Sequence, residues 1–154
     1  MRTWSKTPKN AKADIECFKV FLIKNAIERG KNYLCAPFSN RQYKLFERTE
    51  PEELKTTFKL NKSSINGIYL VDSGYYSFPS FSDALELCNY LNDRGMLATT
   101  IKCTIPKDAT YMRGTALLTY NRTKTVRYES LVSSEIFLGT NVYFESDAAI
   151  EKCK

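Results

Sequence analysis

Three kinds of residue in this sequence have types and spacing that suit chemistry. Arg41 and Tyr43 stand in the run Asn40-Arg41-Gln42-Tyr43, Tyr75 and Tyr76 open the strip Gly74-Tyr75-Tyr76-Ser77-Phe78-Pro79-Ser80, and Glu129 and Glu135 flank Ser130, Ser133 and Ser134. The strip meets an expected helix N-terminus at Ser80, where free N–H groups and the helix dipole favour an anion. Tyr75 and Tyr76 have faces on which a base or nicotinamide ring can stack. An arginine to orient a phosphate, stacked aromatics and a carboxylate to steady a positively charged ribose form a minimal set for NAD-dependent ADP-ribosyl transfer. On that reading Glu135, or Glu129 in its place, is the catalytic carboxylate. Arg41, Tyr43, Tyr75, Tyr76, Ser77 and Ser80 are then the ligand-binding residues. The simpler expectation is that the tyrosines pack, Ser80 caps a helix and the glutamates are solvated strand residues.

What is missing narrows the chemistry further. The 154 residues include no histidine, which removes the usual neutral-pH general base and the triads built on it. The cysteines Cys17, Cys35, Cys88, Cys103 and Cys153 are scattered, with no CxxC spacing for zinc, so no metal is expected. An odd number of cysteines reads as free thiols in a reducing compartment. Cys88 and Cys103 fall on apolar faces of an expected helix and strand, where a thiol behaves as a small hydrophobe. No phosphate-binding loop or dinucleotide fingerprint occurs, and no cofactor is expected outside the NAD reading.

The elements that must position these residues follow from periodicity. Cys17 to Lys24 (CFKVFLIK) reads as a buried strand, Tyr33 to Phe38 as a short apolar segment, and Ile65 to Val71 as a further strand. Thr49, Pro51 and Glu52 carry a helix start signal, so a short helix over about 50–58 is expected. The main helix spans about 80–94: Ser80 and Asp83 begin it, Ala84, Leu87, Cys88 and Leu91 recur at helical spacing, and Arg94-Gly95 end it. From Leu97 to Ile105 the pattern alternates, with Leu97, Thr99, Ile101, Cys103 and Ile105 toward the core. Thr115–Tyr120 with Thr125–Val132, and Glu135–Leu138 with Val142–Glu145, are expected as hairpins. The class is α+β, a curved and mostly antiparallel sheet carrying one main helix and one short one.

Residues 1–14 read as a flexible basic arm before a single domain at 15–154. Net charge is +6, and residues 1–50 alone hold 11 Lys and Arg against 5 Asp and Glu. Arg2, Lys6, Lys9 and Lys12 make the arm a candidate nucleic-acid contact. No stretch has the roughly 18 apolar residues of a spanning helix, and no leader pattern opens the chain, so a cytoplasmic location is expected (the host cytoplasm if a phage encodes it).

The runs GYYSFPSFSDALELCNYL, TTIKCTIPKDATYMRG and VRYESLVSSEIFLG resemble small bacterial and phage-encoded proteins of unknown function. In that group a Gly-aromatic-x-x-Phe turn opens a helix bearing Asp-Ala and leads into a strand. The resemblance covers roughly residues 67–138, and a more distant one is to ADP-ribosyltransferase folds. It implies a phage or mobile-element accessory protein. A Tyr-rich, basic domain without cofactor motifs suits binding a protein partner rather than catalysis, because Tyr and Arg are favoured at interfaces. Nucleic-acid binding by the arm and exposed tyrosines is the other binding expectation, and the ADP-ribosyltransferase is the catalytic one.

Overall fold

A computed structural model describes residues 2–3, 7–26, 30–39, 41–60, 67–71, 73–120 and 124–154. In chain order its elements are β1 (Arg2–Thr3), β2 (Lys9–Asn10), β3 (Ile15–Ala26), β4 (Lys31–Cys35), β5 (Gln42–Tyr43), β6 (Thr56–Leu60), β7 (Gly67–Val71) and β8 (Tyr75–Ser77). These are followed by α1 (Phe81–Asp93), β9 (Ala98–Ile105), β10 (Thr110–Tyr120), β11 (Lys124–Ser133), β12 (Phe137–Asn141) and α2 (Asp147–Glu151). Strand pairing is antiparallel throughout the described residues: one sheet runs β12-β9-β3-β4-β5, a second runs β1-β10-β11-β8 with β2 also on β10, and β6-β7 form a separate ribbon. The class is α+β, as the sequence pattern indicates.

β3 is apolar on both faces because both faces are covered, which suppresses alternation in its sequence. Cys17, Phe21 and Ile23 enter the larger core with Ile101, Cys103 and Ile105 of β9, while Val20 packs under α1 with Ala84, Leu87, Cys88 and Leu91. The helix starts where expected: Ser80 accepts from the Asp83 N–H at 3.4 Å, and Gly95 ends it at a φ of 85°. β3 also joins the two sheets, since Phe18 and Phe78 exchange backbone hydrogen bonds at 2.8 and 2.7 Å. After β5 the chain returns to the free edge of β12: Phe46 N–H donates to Leu138 O, and Thr49 N–H donates to Ile136 O at 2.9 Å. The first sheet therefore curls around its own core.

Several expectations need correction. No helix forms over 50–58; residues 50–55 are irregular and Thr56–Leu60 is β6. The capping signal is diverted, because the Thr49 hydroxyl exchanges hydrogen bonds with the backbone of Ile136 and the Glu52 carboxylate reaches Gly74 and Arg41. No hairpin turns at Gly139: β12 runs through it, then a 3₁₀ turn (Phe144–Ser146) leads into α2. Gly139 serves close approach instead, since a Cβ there would lie 2.8 Å from the Lys102 carbonyl oxygen. β9 begins at Ala98, leaving Leu97 47% exposed, and Ala98 and Thr100 are buried as well as the other face because α1 covers them. Of the residues read as an arm, Lys9–Asn10 pair with β10 and Ala11 is buried, its N–H donating to Ala109 O at 2.8 Å. Residues 9–11 thus belong to the folded unit.

Candidate functional site

The turn between β4 and β5 and the irregular segment after β5 bring Arg41, Tyr43, Glu52 and Tyr75 together. The Arg41 guanidinium carbon lies 4.9 Å from the Tyr75 ring centre, and its Nη2 donates to Glu52 Oε2 at 2.7 Å. Tyr43 and Tyr75 meet edge to face with ring centres 6.2 Å apart. On the inner side of Tyr43 sits the ammonium of Lys19, 5.5 Å from that ring and 5.6 Å from Phe21. Lys19 is buried, and its Nζ donates to the Tyr76 carbonyl at 2.6 Å. Two tyrosine rings thus lie between two cations, an arrangement stabilised by the negative ring faces.

Each polar group of this cluster is engaged within the chain. The Tyr75 hydroxyl donates to Glu50 O at 2.6 Å, and the Tyr76 hydroxyl donates to Val71 O at 2.6 Å. Glu52 also accepts from the Gly74 N–H at 3.2 Å. Partial burial raises the Glu52 carboxyl, but the Gly74 N–H and Arg41 outweigh it and hold the group below the ordinary carboxylate range. The Tyr43 phenol moves the other way, pushed up by burial against the opposing pull of Arg41.

The remaining candidate residues lie as follows. Ser77 is buried with its hydroxyl toward Cys17, and its carbonyl accepts from the Ser130 hydroxyl at 3.4 Å. Ser80 is the helix cap. Glu135 is held by Arg48 at 2.6 Å, and Glu129 faces Arg113 at 3.6 Å on the second sheet. The three acids nearest to the expected chemistry therefore sit in three separate ion pairs, each with its own arginine. Arg2 and Lys9 lie on strands against β10, Lys12 is exposed, and Lys6 lies outside the described residues.

Sequence reasoning missed Lys19, Glu50 and Glu52 as members of the cluster. Lys19 carried a signal: it is the one charge inside the apolar run from Phe18 to Ile23, on a strand covered on both faces. Glu52 was assigned to a helix cap, which hid its reach to Arg41.

A second polar cluster went unforeseen at the start of β9. The Thr99 hydroxyl meets Asn141 Oδ1 and, at 2.6 Å, the Ser146 hydroxyl, while Asn141 Nδ2 donates to Asp147 Oδ1 at 2.7 Å. It ties the 3₁₀ turn and α2 onto the sheet. Above it, Asn92 holds both backbone groups of Ala98 at 2.7 and 3.2 Å and also meets the Tyr143 hydroxyl. Met96 and Leu97, just before Ala98, and Phe144, just after Tyr143, are 46%, 47% and 77% exposed.

Among the described residues no group of three His, Cys, Asp or Glu side chains converges as a metal site requires, and no helix is long and apolar enough to cross a membrane. No family model, curated protein or solved structure matches the chain.

Proposed function

We propose that this chain is a small accessory protein, of the kind phages or mobile elements encode, that acts by binding a host or viral protein without covalent chemistry. The observation that carries this reading is the exposure of Met96, Leu97 and Phe144, on two segments that the contact of Asn92 with the Tyr143 hydroxyl links. Three large apolar side chains are exposed there, on backbone held by Asn92, Thr99 and Asn141. Apolar groups left in water on backbone held in this way suit an interface, because ordering costs little there and apolar area is buried on docking. The arginine and tyrosine cluster supports the same reading from the other side. Its hydroxyls and charges are committed to internal partners, so it works as a strut that fixes β8 against β5.

The catalytic alternative, NAD-dependent ADP-ribosyl transfer, needs a carboxylate beside the stacked aromatics, and Glu52, which Arg41 ties to this cluster, is already paired with that arginine. The deciding experiment compares capture from lysate by the wild-type chain and by Leu97→Asp/Phe144→Asp, alongside incubation with labelled NAD. The binding reading expects a partner held by the wild type and lost by the variant, with no label transferred. Label transfer that disappears in Glu135→Ala or Glu129→Ala, at unchanged melting temperature, would replace it with the enzyme.

A further inference from the structure

We draw no further inference here: the strongest candidate, the side-chain cluster of Cys17, Lys19, Ser77 and Cys103 where β8 meets β3 and β9, carries nothing because all four side chains are buried and nothing in the structure gives a substrate or an oxidant access to them.

Discussion

The guanidinium of Arg41 stacks over the ring of Tyr75, 4.9 Å from its centre, while its Nη2 holds Glu52 at 2.7 Å. Glu52 in turn takes the Gly74 N–H, so one arginine links the strand before it to the turn that opens β8. Both side chains of the pair are partly exposed, which limits its worth to about 1 kcal/mol. Arg41→Ala should lower stability by about that amount. Arg41→Lys should recover only part, because an ammonium lacks the flat face that covers Tyr75. Chemical denaturation at neutral pH checks both.

The same pair sets a pH dependence. Glu52 titrates lower in the folded chain than its ordinary value of 4.5, so the unfolded chain binds the proton more readily. Its contribution is therefore in place above about pH 4.5 and is lost as pH falls through the folded value. Wild type and Glu52→Gln should differ at pH 7 and converge toward pH 3, as followed by melting temperature. A constant gap across that range would contradict the assignment.

The glycines separate steric need from backbone need. Gly74 has a φ of 96°, and a Cβ there would run into Leu54 Cδ2 and lie 2.9 Å from Val132 Cγ2 and 3.0 Å from Ser133 O. Gly95 has a φ of 85° with nothing within 4 Å. Gly95→Ala should cost about 1 kcal/mol for the left-handed conformation alone. Gly74→Ala should cost at least 2 to 3 kcal/mol, since strain and overpacking add. Equal losses in urea unfolding would contradict this.

Much of the fold was legible because local signals and burial agreed. Ser80, Ala84, Leu87, Cys88, Leu91 and Gly95 mark α1 with a cap, a stripe and a stop, and the structure keeps each in that role. The alternation through Ile101, Cys103 and Ile105 likewise marks β9. Signals failed where tertiary partners took the groups that local rules assign. Thr49 and Glu52 have the chemistry of a helix cap, yet Ile136, Gly74 and Arg41 claim them. Gly139 reads as a turn residue because close approach to the Lys102 carbonyl is invisible in one dimension. Of the candidate site, the grouping of Arg41, Tyr43 and Tyr75 was legible from residue type; Lys19 and Glu52 were not, because their partners are distant in sequence.

Core burial gives a stability test. Ile101 is fully buried in the same core cluster as Phe21, Cys103 and Leu138, whereas Lys102 is exposed and paired with Glu16 at 2.9 Å. Ile101→Asp should cost several kcal/mol, about the scale of an unpaired buried charge. Lys102→Ala should fall within about 0.5 kcal/mol of wild type. An unshifted melting curve for Ile101→Asp would remove β9 from the core.

Thiol reactivity follows the same burial. Cys17 is pushed up to about 11, and Cys103 is raised further, burial being the main cause in both. Only thiolates react readily, so Cys153, the partly exposed thiol, should be alkylated first in the native protein. The buried four should react only on unfolding, read by mass spectrometry after timed iodoacetamide exposure. Rapid native labelling of Cys17 or Cys103 would contradict the packing.

The proposal that the chain works by docking a protein through Met96, Leu97 and Phe144 is tested most directly by site-specific photo-crosslinking. Benzoylphenylalanine is placed at Phe144 in one variant and at Phe38, 70% exposed on the β4–β5 turn, in another. Irradiation in the producing cell should give a discrete protein adduct from position 144 and none from position 38, and Leu97→Asp in the same chain should abolish it. No adduct at 144, or the same adducts from both positions, would contradict the account.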